Sequence, residues 1–232
     1  MAEVGVYRGD FAAAILERYD SIETYFMIDP WRYLDNWNKP ANQTNDIFET
    51  FFSETKAKTD FAANKRIILR GTTSEVIEEI EDEGLDFAYI DSDHTLRGIT
   101  MDLIQIFPKI RMGGWIGGDD FMRNVWQHDT DYEPTLVFPF TVYFAEAMDV
   151  PIYALPYNQF LIEKNCDKSF AFIDMTGLYG DTSLKNQLLP QLFFKRRVRE
   201  KFPLLYSLID IVLRIENKMS GFIKKTGEHM HK

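Results

Sequence analysis

Short apolar runs alternate with stretches of helical spacing along residues 1–164, and each run stops at a residue that cannot continue a strand. Glu3-Val4-Gly5-Val6 predicts a first strand, and Tyr7-Arg8-Gly9-Asp10 a turn into a helix that begins at Phe11. Residues 24–28 predict a second strand, closed by Asp29-Pro30-Trp31 because proline lacks the amide that a strand ladder needs. An Asn- and Asp-rich loop covers 34–45, and Ile47, Phe48, Phe51 and Phe52 recur at helical spacing within 46–63. Strands follow at 66–70 and 85–90, separated by an acidic helix over 75–83 that Gly71-Thr72-Thr73-Ser74 caps. A helix over 100–110, with Met101, Leu103, Ile104 and Phe107 inward, is expected to stop at Gly113-Gly114. Trp115-Ile116-Gly117-Gly118 is then a fifth strand, and the chain runs on as a long loop to residue 139 carrying Trp126, His128 and Tyr132. Loops of that length in compact domains usually carry function. A helix over 141–148 and a hairpin of 152–155 with 160–163 close the core.

Strands that are each followed by a helix imply a parallel sheet with right-handed crossovers and helices on both faces. The expected fold class is therefore α/β: a Rossmann-like, doubly wound, mostly parallel sheet with a C-terminal antiparallel hairpin over residues 1–164. Residues 165–232 are expected to form a helical, basic extension. Residues 184–226 carry ten Lys and Arg against Glu200, Asp210 and Glu216, on a chain whose 26 Lys+Arg and 36 Asp+Glu give a net charge of −10. The acidic balance opposes attraction to phosphate backbones, so nucleic acid is excluded as the expected partner. Leu188, Phe193, Leu204, Leu208 and Ile211 give the tail amphipathic character, which predicts a homo-oligomer or peripheral contact with an anionic membrane. The single cysteine, Cys166, excludes an internal disulfide and a multi-cysteine zinc site. With no signal-peptide layout at the N-terminus and no run near the ~18 apolar residues of a membrane span, a reducing, cytoplasmic location is expected.

In an open parallel sheet, ligands sit in the crevice beyond the carboxyl ends of the strands, and those ends are polar here. Gly5 and Gly9 flank the first turn, where a glycine lets the backbone approach a ligand and the next helix points its N-terminus toward it. Asp29 ends the second strand 26 positions after Glu3, where a carboxylate can accept both hydroxyls of a ribose. Together these features predict a nucleoside ligand. Asp91 ends the fourth strand and Asp119-Asp120 the fifth, so adjacent strands bring three carboxylates together. Converging carboxylates repel unless a cation lies between them, and an all-oxygen set suits Mg²⁺.

Four segments in order, Glu3-Val-Gly-Val-Tyr-Arg-Gly9, Ile28-Asp-Pro-Trp31, Tyr89-Ile-Asp-Ser-Asp-His94 and Gly113-Gly-Trp-Ile-Gly-Gly-Asp-Asp120, resemble class I S-adenosylmethionine-dependent methyltransferases. The branch most similar is the one that O-methylates sugars in glycans and macrolides. The resemblance implies that Glu3, Gly5, Tyr7 and Gly9 meet the methionine part of the cofactor, Asp29 the ribose, and Pro30 and Trp31 the adenosine. Thr72 and Thr73 match the turn near the adenine, where the family often has Asp-Ser or Gly-Ser, and Asp91 borders the cofactor. It also implies Mg²⁺ on Asp91, Asp119 and Asp120, chelating two neighbouring hydroxyls of a sugar or glycan acceptor. Asp93 or His94, just past the fourth strand, is placed to accept the hydroxyl proton, making Asp91, Asp93 and His94 the expected catalytic set. Two other readings carry distinct expectations. A catechol-type enzyme uses the same carboxylate spacing on planar diphenols, and a non-catalytic member that binds cofactor or a partner is suggested by the abrupt start before the first strand and by the basic tail.

Overall fold

The computed structural model describes residues 1–179, except 126, 129 and 130, and residue 202. Of the extension expected over 165–232, residues 180–201 and 203–232, with the homo-oligomer and membrane expectations that rest on them, lie outside the described residues, as does Trp126. Strands β1 (Ala2–Val4), β2 (Tyr25–Asp29), β3 (Arg66–Arg70), β4 (Leu85–Ile90) and β5 (Ile110–Gly118) are parallel neighbours in the order β3-β2-β1-β4-β5. Helices α1 (Asp10–Arg18), α2 (Asn45–Lys58), α3 (Thr73–Val76) and α4 (Leu96–Lys109) make the crossovers, and α5 (Val137–Ala147) leads to the hairpin of β6 (Ile152–Leu155) and β7 (Gln159–Glu163). β7 pairs antiparallel with both β5 and β6, so the sheet is doubly wound and mostly parallel, as expected.

Three boundaries differ from expectation. Gly113-Gly114 does not end a helix: α4 stops at Lys109, after Pro108, and β5 begins at once at Ile110. The Lys164 ammonium covers the open end of α4, donating to the carbonyls of Phe107 and Ile110 at 3.1 and 2.6 Å. Gly113, at φ +77°, lies instead where the β4–β5 register shifts, a position that favours glycine. The sheet also continues past residue 164, because β8 (Phe172–Asp174) adds to β6 in parallel. Tyr179 anchors that segment by donating its hydroxyl to the carbonyl of Phe121 amid Phe138 and Phe172. The acidic segment after β3 is shorter than its composition predicts, a four-residue α3 followed by a 3-10 turn, although its start is capped by the reciprocal Thr72–Glu75 pair. No helix among the described residues is long and apolar enough to cross a membrane.

The register fixes the site. Val4 pairs with Ile28 and Ile90, and Ile90 with Gly118, so the residues just beyond, Gly5, Asp29, Asp91 and Asp119, form one row along the carboxyl edge of the sheet. The ladder continues through that row, with Gly5 N donating to Ile28 O and Asp91 N to Val4 O.

Candidate active site

A cleft of about 430 Å³ opens over this row. Of the residues predicted to meet the cofactor, Gly5, Tyr7, Asp29, Pro30, Thr72, Thr73 and Asp91 line it. Gly5 has φ +90°, and a Cβ there would stand 2.0 Å from the Asp91 carbonyl oxygen, so only glycine lets β1 and β4 end this close together. Asp29 ties the two turns that border the cleft: its Oδ2 accepts the Tyr7 amide at 2.8 Å and its Oδ1 the Trp31 amide at 2.7 Å. Burial pushes its carboxyl up to about 6, against the pull of those amides.

Glu3, Gly9 and Trp31 do not line the cleft. Glu3 is buried within β1, and its Oε2 accepts the Tyr25 hydroxyl at 2.7 Å across β2. Gly9 packs on α2, where a Cβ would lie 2.9 Å from the Cα of Thr55. Trp31 is fully buried with Leu16, Met27 and Phe48, its indole donating to the Tyr7 carbonyl. Of the first segment's four expected contacts Gly5 and Tyr7 line the cleft, and of the second segment's three Asp29 and Pro30 do. Burial pushes the Glu3 carboxyl up to about 8, although the Tyr25 bond pulls it down. That folded value exceeds the ordinary 4.5, so the stability it contributes is complete below about 4.5 and is lost as pH rises through about 8. Glu3→Gln is expected to remove a slope of about 1.4 kcal/mol per pH unit within that window. Urea unfolding at two pH values reads it, and parallel profiles for the variant and the wild type would refute it.

The catalytic end holds a different constellation from the expected carboxylate triad. Asp91, His94 and Asp120 offer ligand atoms that all lie within 4.8 Å of one another, and Asp119 is outside that set. Adjacent residues leaving a strand project to opposite sides, and Asp120, at φ +58°, turns toward His94 while Asp119 accepts its amide at 2.8 Å. An all-oxygen Mg²⁺ site on Asp91, Asp119 and Asp120 therefore does not fit this side-chain arrangement. His94 stands between the other two, with Nδ1 2.5 Å from Asp120 Oδ2 and Nε2 3.3 Å from Asp91 Oδ1. Burial alone would lower the imidazole pKa, but the two carboxylates outweigh it and raise it to about 9. Nε2 faces Asp91 without hydrogen-bond alignment and is a buried polar atom with no hydrogen-bond partner.

With its pKa raised to about 9 between the two carboxylates, His94 carries a proton on each ring nitrogen at neutral pH and in that state takes none from a substrate in the cleft. Asp93, the other candidate, lines the cleft, and one of its oxygens accepts the Thr95 amide at 3.0 Å. Among the described residues no hydrogen bond or ion pair takes the second oxygen. Gly98 permits this placement, since a Cβ there would lie 2.2 Å from Asp93 Cγ.

Three residues were not singled out by the sequence. Asp102 sits on the buried face of α4 with Ile99, Leu103 and Ile106, where it accepts the hydroxyls of Thr73 and Ser92 and braces two cleft walls. An acidic residue on an apolar helical face was its available signal. Lys39, buried in the Asn-rich loop, donates to the Glu133 carbonyl at 2.9 Å and to Thr135 Oγ1 at 3.2 Å. Thr135 donates to Gln127, and Gln127 donates to Asp120 Oδ1 at 2.7 Å, so a chain of polar contacts joins both loops to the catalytic end. No local pattern announces Lys39 or Gln127. His128, on the long loop, lines the cleft.

Strand order, the cleft at the carboxyl edge and the Gly5–Asp29–Asp91 row together define a class I S-adenosylmethionine-dependent methyltransferase. Residues 2–121, just over half of the chain, match the family described as "Methyltransferase domain", and the chain belongs to that family. No curated protein matches it in sequence. Among solved structures it is similar to a putative caffeoyl-CoA O-methyltransferase from Staphylococcus aureus, with TM-score 0.52 and 14% identity over 71% of this chain and 74% of that one. It is likewise similar to a Corynebacterium glutamicum protein, with TM-score 0.51 and 13% identity over 71% of each chain. At such identities these two likenesses bear on the fold alone.

Proposed function

We propose that the protein transfers the methyl group of S-adenosylmethionine to a sugar hydroxyl of a glycan or glycosylated small molecule, with the cofactor seated over Gly5, Asp29, Thr72 and Thr73. The observation that carries this reading is the Asp93 carboxylate, one oxygen without a partner among the described residues, in the same cleft as the Gly5–Asp29–Asp91 row. Methyl transfer from a sulfonium is an in-line displacement. The acceptor oxygen forms its bond to the methyl carbon as the sulfur–carbon bond breaks, S-adenosylhomocysteine leaves, and the hydroxyl proton passes to a base. Asp93 takes that proton in this reading, and the Asp29 carboxylate orients the ribose from below. The catalytic end is polar, with Asp91, Asp93, Lys39 and His128 on its walls, which suits an acceptor rich in hydroxyls.

Planar diphenols are the alternative acceptors, suggested by the description of the S. aureus neighbour, and Leu34 and Trp37 in the cleft wall would suit an aromatic ring. Incubation with radiolabelled S-adenosylmethionine and separate panels of glycosides and diphenols tests the two. Label is expected on glycosides. Label confined to diphenols would overturn the sugar assignment and keep methyl transfer.

A further inference from the structure

Asp102 is a buried carboxylate that takes no part in the methyl transfer itself. It lies among Ile99, Leu103 and Ile106 on α4, where a charge is costly to bury, and it lines the cleft. Its Oδ1 accepts the Thr73 hydroxyl from the turn after β3, and its Oδ2 the Ser92 hydroxyl from the turn after β4. Burial pushes its carboxyl up to about 6, against the pull of those two hydroxyls, so at about pH 8 it is ionised and only accepts. A hydroxyl has one proton to donate, and both protons are therefore committed to Asp102. Each hydroxyl oxygen keeps its lone pairs, and among the described residues no hydrogen bond ends on either of them. Thr73 and Ser92 both line the cleft, which they thus furnish with acceptors and not with donors.

An amide in place of the acid would join the same two turns, but it would donate to one hydroxyl and free that hydroxyl's proton for the cleft. Only the carboxylate sets the same polarity on both. With the ribose on Asp29, a base seated against Thr73 and Ser92 meets acceptors, and their complement is an exocyclic amine with its N–H donors. We infer that Asp102 is a positioning residue that determines base specificity: by holding the protons of Thr73 and Ser92, it makes the cleft take an aminopurine nucleoside and reject an oxopurine one. The inference rests on the methyl-transfer reading for the seat of the cofactor and adds how its base is chosen. An oxo group in place of the amine would set a carbonyl oxygen against the hydroxyl lone pairs with no proton between them, leaving desolvated acceptors unpaired.

Titration calorimetry at about pH 8 compares S-adenosylhomocysteine with S-inosylhomocysteine, whose base carries an oxo group where adenine carries the amine. The wild-type chain is expected to prefer the adenosyl ligand at least ~10-fold. Asp102→Asn should bring that ratio to within about threefold, because one hydroxyl then donates to the oxo group and no longer accepts from the amine. Thr73→Val and Ser92→Ala, which each remove one acceptor and keep the carboxylate, should also lower the ratio. A brace alone would weaken both ligands by the same factor, so the ratio and not the affinity is the readout. Thermal unfolding shows which variants are folded, and the two hydroxyl variants decide the matter if Asp102→Asn is not. Adenosyl binding with no preference in the wild type, or a ratio that none of the folded variants lowers, overturns the role of Asp102 and leaves the methyl-transfer reading standing. Binding of neither ligand to the wild type overturns that reading and this inference with it.

Discussion

Asp93→Asn is expected to lower the single-turnover rate of methyl transfer by about 10²–10⁴-fold while leaving the affinity for S-adenosylhomocysteine within about twofold. The asymmetry follows from placement. Asp93 lines the cleft and accepts a backbone amide with one oxygen, so in the proposed reading its loss removes the proton acceptor without disturbing Gly5 or Asp29. Asparagine keeps the shape and the bond from Thr95, which makes the comparison one of basicity. Rapid-quench measurement with saturating cofactor reads the rate. An unchanged rate would return the proton to His94 or to water, and an equal loss of cofactor affinity would make Asp93 a structural residue.

Gly5→Val is expected to have the larger effect on the folded state, about 2–6 kcal/mol of lost stability. Two costs add: the left-handed backbone at φ +90° is strained for any side chain, at ~1–3 kcal/mol, and the new Cβ collides with the Asp91 carbonyl, an overpacking cost of ~1–3 kcal/mol. Relief of the collision moves the end of β4, and with it Asp91 and Asp93, so cofactor binding should fall with stability. Gly177→Ala is the control, because Gly177 is also left-handed at φ +71° but a Cβ there meets nothing within 4 Å. It should show backbone strain alone and leave binding intact. Urea unfolding together with calorimetry separates the two costs, and a Gly5→Val protein as stable and as tight-binding as the wild type contradicts the close approach.

Strand ends were legible because each apolar run stops abruptly at a polar or turn residue. Asp29 and Asp91 follow Ile28 and Ile90 directly, and a parallel register does the rest. Which way a side chain points at such an end was not legible. Glu3 is placed in the first strand and implied by the resemblance to meet the cofactor, yet its side chain is buried where Tyr25 reaches it across one strand spacing. Asp119 and Asp120 are equivalent as letters, and a left-handed residue at 120 sends one toward His94 and the other away. Gly113-Gly114 carries the usual signal for the end of a helix, but α4 has already ended at Lys109 with Ile110 extended, and the pair serves a register shift in β5. Lys39 and Gln127 depend on contacts between loops far apart in sequence, which no local periodicity encodes.

Titration calorimetry of S-adenosylhomocysteine into the 232-residue chain and into Asp29→Ala tests the central claim most directly. A charged hydrogen bond to the ribose contributes roughly 1.5–3 kcal/mol, so the cleft over Gly5 and Asp29 predicts one saturable site per chain, weakened at least ~10-fold in the variant. Absence of binding to the wild-type chain, or equal affinity in Asp29→Ala, contradicts it.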